Sequence, residues 1–116
     1  MSERQMLGSW GEKFAREYLE EQGLDFVMQN FLCKMGEIDL IMRDGKVLVF
    51  VEVRVRHTQK HGDPLESINY RKQLKVRRTA EFYLQKYAQD GEARIDVIGI
   101  DTSLTPPHIT WIDNAF

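Results

Sequence analysis

GEIDLIMRDGKVLVFVEVRVR, residues 36–56, decides how this chain folds. Its second half alternates with a period of two. Val47, Val49, Val51, Val53 and Val55 point one way, and Leu48, Phe50, Glu52, Arg54 and Arg56 the other, as in a strand whose successive side chains face opposite sides of a sheet. The first half alternates too, setting Ile38, Leu40 and Met42 against Glu37, Asp39 and Ile41. Asp44-Gly45 between the halves is a hairpin signal, because a tight turn with positive φ favours Asp or Asn followed by Gly. The stretch is therefore a β-hairpin that carries acids where a sheet core calls for aliphatic side chains.

The turn fixes which of those acids meet. With Asp44-Gly45 as a two-residue loop, Arg43 lies opposite Lys46 and Asp39 opposite Phe50. Asp39, Glu52 and Arg54 then share one face, with Asp39 diagonal to Glu52 and in reach of it through one ion. A three-residue loop would send Asp39 to the far side.

Upstream, residues 2–23 read as a helix. Leu7, Trp10, Phe14, Tyr18 and Leu19 recur at helical spacing as one apolar stripe, and Gly23 is a natural stop. Glu12 falls at the flank of that stripe, beside Gly8, Ala15 and Leu19. Gly8 and Gly11 each weaken the helix by roughly 1 kcal/mol relative to Ala, which suggests that close packing requires them. Residues 24–30 form a short strand in which Phe26 and Met28 alternate with Val27 and Gln29.

Downstream, the polar loop HTQKHGD carries His57, Lys60 and His61. Asp63-Pro64-Leu65-Glu66 combines an N-cap acid, Pro at the first position and Glu in a capping-box-like pattern. The helix it opens, interrupted near Asn69, runs to about residue 89 and carries Arg71, Lys72, Lys75, Arg77 and Arg78 in its first half. RIDVIGI, residues 94–100, is a buried strand, and residues 108–112 a last short one. The order α-β-β-β-α-β-β makes an α/β chain with a mixed sheet and helices packed on it.

With 116 residues, 42% of them hydrophobic and 29% charged, residues 1–116 form a single domain with a real core. No apolar run approaches the ~20 residues that span a bilayer, and the first ten residues lack a secretory pattern. Cys33 is the single cysteine, so no internal disulfide forms, and a cytoplasmic setting is expected. The net charge of −2 hides an asymmetry. Residues 54–78 hold eight Lys or Arg against two acids, a local +6, which leaves −8 on the rest. Such a patch can contact phosphates, and it is equally the composition of a solvated helix face.

Asp39 and Glu52 on neighbouring strands would give a divalent ion part of a hard oxygen shell. Two carboxylates this close repel unless a cation or proton intervenes. Arg54, on the same face, could neutralise them without any metal. Both arrangements fit the residues.

GEIDLI at 36–41, FVEVR at 50–54 and the early GEKFA with Glu12 resemble the PD-(D/E)XK nuclease superfamily, and within it most closely the YraN-like family of bacterial proteins. The resemblance covers nearly the whole chain. It implies a restriction-endonuclease-like core related to Holliday junction resolvases, with Mg²⁺ (or Mn²⁺) held by Asp39 and Glu52. Carried over by position, it implies Glu12 as an auxiliary acid and Arg54 where the superfamily has Lys. Arginine stays charged and cannot serve as a base, although it can stabilise charge on a transferring phosphoryl group.

The expected function is a metal-dependent endonuclease acting on DNA, branched or structured DNA included. Its site would comprise Glu12, Asp39, Glu52 and Arg54, with Arg56, Lys60, Arg71, Lys72, Lys75 and Arg78 on the nucleic acid. Cutting two strands with so small a fold is compatible with a homodimer. Two further readings are a catalytically silent nucleic-acid-binding domain and a protein-interaction module on the same fold.

Overall fold

A computed structural model describes residues 2–57 and 63–116. Lys60 and His61 lie outside the described residues. In chain order the elements are helix α1 (Glu3–Glu21), strands β1 (Asp25–Cys33), β2 (Gly36–Asp44) and β3 (Val47–Arg56), a 3-10 turn (Pro64–Ser67), helix α2 (Tyr70–Lys86), and strands β4 (Ala93–Asp101) and β5 (His108–Ile112). This is the order expected from the sequence for a restriction-endonuclease-like core. The five strands form one sheet in the order β1-β2-β3-β4-β5. β3 and β4 are parallel and joined through α2, and the other pairs are antiparallel.

The helices cover opposite faces. α1 packs Ala15 and Leu19 on Leu40, Met42, Val49, Val51, Val53, Ile98 and Ile100. α2 packs Val76, Ala80 and Tyr83 on Phe31, Ile38, Ile41, Leu48, Phe50 and Ile95. A central β3 so enclosed is apolar on both sides, as a buried strand next to a parallel neighbour must be.

The α1 stripe differs from the expected one. Leu7 and Trp10 are 46% and 39% exposed, and the buried line runs instead through Gly11, Ala15 and Leu19. A Cβ at Gly11 would collide with the Val55 Cγ2, whereas one at Gly8 would meet nothing within 4 Å. Close packing therefore needs one of the two glycines. The second helix is interrupted as expected: Asp63 caps the 3-10 turn by accepting from the Leu65 N–H at 2.9 Å, and Asn69 restarts the chain as α2 by accepting from the Lys72 N–H at 2.9 Å.

The hairpin register corrects the expected one. The loop is Gly45-Lys46, with Asp44 opposite Val47 and Leu40 opposite Val51. Only the first loop position needs positive φ, and Gly45 takes it at +61°, as in a type II′ turn. Asp44 is kept in the strand by Arg94, whose Nη1 donates to its Oδ2 at 3.1 Å. The shift is two residues, so the paired residues from Leu40 to Asp44 keep their expected faces, while Asp39 lies beyond the last pair instead of opposite Phe50.

Candidate metal centre

The site forms where β2 leaves β3. Their pairing ends at Leu40–Val51, while β2 stays paired with β1 down to Cys33–Gly36. Beyond that end the Val53 N–H donates to the Asp39 Oδ2 at 2.8 Å. An acid is well suited to such a fork, since a buried N–H without an acceptor is costly. The strict alternation expected of β2 also fails here. Leu40 and Met42 join the α1-side core, but Ile38 joins the α2 side with Ile41. Asp39 is thereby freed to line a cleft with Leu7, Gly8, Glu12, Val53, Arg54 and Val55, about 420 Å³ in volume.

Four carboxylates converge on this fork. Glu12, Glu37 and Asp39 each present an oxygen, all within 4.8 Å of one another. Glu52 also abuts Asp39, close enough for the two carboxyls to share a proton. Glu52 is 6% exposed, and its Oε1 has no hydrogen-bond partner among the described residues. The Arg54 Nη2 stands 4.0 Å from the Glu52 Oε2, a loose ion pair, and the Arg54 Nε has no acceptor among the described residues.

All four acids are pushed above their ordinary range. Burial raises Glu12 most, followed by the Asp39 charge, and the hydrogen bond from Gln29 works against both. Burial and then Asp39 raise Glu37. Burial raises Asp39, opposed by the Val53 N–H and then by Arg54. Glu52 is raised the furthest, by burial first, then by the Asp39 charge, with Arg54 pulling the other way. Such a cluster favours a proton or a cation over bare ionisation.

Glu12, Asp39, Glu52 and Arg54 are thus brought together. Two residues with no role assigned from sequence join them. Glu37 was legible in principle, lying two residues before Asp39 on the same expected face. Gln29, whose Nε2 donates to the Glu12 Oε1 at 3.2 Å, was not. β1 carries a register shift between Phe26 and Met28, which sends Val27 and Met28 to the α2 side together. One extra residue in a strand flips everything after it, and Gln29 lands facing α1.

Of the basic residues, Arg71, Lys72, Lys75 and Arg78 lie exposed on α2. Arg56 is half-buried at the end of β3, beside Arg54, Pro64 and Asp101. No helix among the described residues is long and apolar enough to cross a membrane.

The family model described as "Uncharacterised protein family UPF0102" matches residues 11–100, from the glycine before Glu12 to Ile100 near the end of β4. The chain belongs to this family. A UPF0102 protein of Psychromonas ingrahamii is 48% identical over 109 residues, covering 94% of this chain and 88% of the relative. One from Janthinobacterium sp. is 46% identical over 112 residues (97% and 88%), and one from Legionella pneumophila 47% over 111 residues (94% and 92%). This UPF0102 chain is therefore similar to its relatives across nearly their whole length, and the match takes in Glu12, Glu37, Asp39, Glu52 and Arg54. The family description and the relatives' names state no activity.

Proposed function

We propose that this chain is a divalent-cation-dependent nuclease that hydrolyses phosphodiester bonds in DNA. The observation that carries the reading is the buried Glu52 carboxyl against half-buried Asp39, with an oxygen of Glu52 lacking any donor among the described residues, beside an open cleft. A cationic ligand with hard-oxygen preference fits that donor set. Mg²⁺ or Mn²⁺ uses few carboxylates and keeps the rest of its shell for water and phosphate. Asp39 and Glu52 would hold it. A bound divalent ion supplies Lewis-acid polarisation of the phosphoryl group and lowers the pKa of water.

The remaining chemistry belongs to the side chains. Arg54, partly exposed and with its Nη2 only loosely paired, is available to hold a phosphate oxygen and offset charge that develops on it. It cannot take a proton, so proton removal falls to a carboxylate. Glu12, held by Gln29, is the acid beside the cleft whose proton affinity burial raises, and it would take that proton. Arg71, Lys72, Lys75 and Arg78 would contact flanking phosphates.

The test is cleavage of end-labelled single-stranded, duplex and four-way-junction DNA with Mg²⁺ or Mn²⁺, against a chelator control and Asp39→Asn. The expected result is ion-dependent cleavage by the wild type, lost in a variant that remains folded. Salt-sensitive DNA binding equal in both proteins, with no cleavage by either, would replace this reading with a binding domain.

A further inference from the structure

We propose that the cleft at the fork receives an unpaired nucleoside of DNA, its sugar and base lying on Leu7, Gly8, Val53 and Val55 while the phosphate beside it meets Arg54. This rests on the nuclease reading above and names its substrate as a single or splayed strand, not an intact duplex.

The cleft joins two chemistries. One cavity of about 420 Å³ is lined by the polar Glu12, Asp39 and Arg54 and by the apolar Leu7, Gly8, Val53 and Val55. Its volume falls in the range that holds small organic ligands. A phosphodiester held at the polar groups must lay the rest of its nucleotide against the apolar ones. Another phosphate does not suit that wall, since an anion against aliphatic groups loses water without gaining a partner. A sugar and the face of a base do suit it. In an intact duplex the base stays in its stack and cannot enter such a pocket.

The α1 side of the wall is built in a way that packing does not explain. Gln5 to Trp10 are all exposed, so the first turns of α1 are not covered by the sheet, and the reciprocal Ser2–Gln5 cap holds them helical. This overhang, QMLGSW, carries no charged side chain, although a helix surface that meets only water ordinarily does. Met6, Leu7 and Trp10 stand exposed on it, and Leu7 turns into the cleft. At Gly8 a Cβ would meet nothing within 4 Å, so the fold has room for a side chain there, and Gly weakens a helix relative to Ala. A glycine that packing does not require, on the wall of a cleft, lets a flat group approach the backbone closely. The wall side chains offer no donor or acceptor to a base edge. The contact is therefore with the π-face or sugar common to all nucleotides, and little base preference is expected.

The experiment measures binding of oligonucleotides carrying 2-aminopurine to the full-length chain with Ca²⁺, as a single strand and as a complete duplex at one salt concentration. Gly8→Leu and Leu7→Ser are measured alongside. The wild type should bind the single strand about tenfold more tightly than the duplex, the scale of one base contact, with fluorescence rising as the base leaves its neighbours. Gly8→Leu should weaken single-strand binding about tenfold by filling the wall, with Mn²⁺ affinity by calorimetry and circular dichroism unchanged. Leu7→Ser, at an exposed position, should weaken it in the same sense and reads the same wall if Gly8→Leu does not fold. Equal affinity for duplex and single strand, or single-strand binding unchanged in the folded variants, would overturn this inference. Mg²⁺-dependent cleavage by the same proteins would then leave the proposed function standing. Neither binding nor cleavage of any DNA by the wild type would overturn both.

Discussion

Replacing Glu52 with Gln should stabilise the ion-free protein at alkaline pH and blunt its response to divalent ions. The fold raises the Glu52 carboxyl well above its usual 4.5, through burial and then the Asp39 charge. For an acid shifted upwards, stability is complete below the unfolded pKa. It is lost as pH climbs from there to the folded pKa, because the unfolded chain releases a proton that the fold retains. Within that window one group contributes a slope approaching 1.4 kcal/mol per pH unit, roughly 4–8 °C in Tm per kcal/mol for a domain near this size. The amide keeps the shape, removes the charge and can donate to Asp39. The variant should therefore melt above the wild type at pH 8 in chelator, with a shallower fall from pH 5 to 8. The fall should not vanish, since Glu12, Glu37 and Asp39 remain shifted in the same direction. Adding Mg²⁺ at a hundred times its Kd should give the wild type about 2.7 kcal/mol and the variant much less. Differential scanning calorimetry across pH, with and without ion, reads all of this. A variant less stable than the wild type in chelator at pH 8, with an unchanged slope, would refute the reasoning, because it would mean that the Glu52 carboxylate is already well satisfied.

The two α1 glycines should respond to alanine with opposite signs. Gly8→Ala should stabilise by about 0.5–1 kcal/mol, and Gly11→Ala should destabilise by roughly 1–2 kcal/mol as overpacking against Val55 outweighs the helix gain; denaturant midpoints for the pair decide it. Asp96 is fully buried and accepts from the Arg94 Nε at 3.0 Å, the Trp111 Nε1 at 2.9 Å and the Asn114 N–H at 2.9 Å. Asp96→Ala should therefore cost about 3–5 kcal/mol by leaving the Arg94 Nε, the Trp111 Nε1 and the Asn114 N–H without their acceptor, although Arg94 keeps Asp44, measurable as loss of the folded state in urea, with no direct effect on ion affinity in the folded fraction. Replacing Lys72, Lys75 and Arg78 together with Gln should weaken DNA binding similarly across sequences. It should also lower the slope of log K against log salt by about 0.9 for each phosphate that the variant no longer neutralises. An unchanged slope would place the DNA elsewhere.

Most of the fold was legible because the signals were local. The valine alternation of β3, the cap at Asp63 and the interruption near Asn69 depend on near neighbours in sequence. What failed depended on partners far along the chain. Asp44 carries a turn composition, and an arginine fifty positions on holds it in the ladder. Leu7 and Trp10 have the spacing of a core stripe, yet Gly11 sets where α1 touches the sheet.

The same distinction explains the site. Sequence alternation assigns faces only while strands stay regular, and the site exists because two of them do not. A bulge in β1 turns Gln29 toward Glu12. The end of β2–β3 pairing lets Asp39 cap Val53 and stand between Glu12 and Glu52. A perfectly regular hairpin would have buried Asp39 on one face beside Glu52 and left Glu12 on the other. The irregular one exposes backbone that an acid can satisfy, and it gathers four like charges whose repulsion a proton or a cation must offset. The strain on the charges and the opening of the strands are thus one feature. Closing the fork would remove the cleft and the convergence of like charges together.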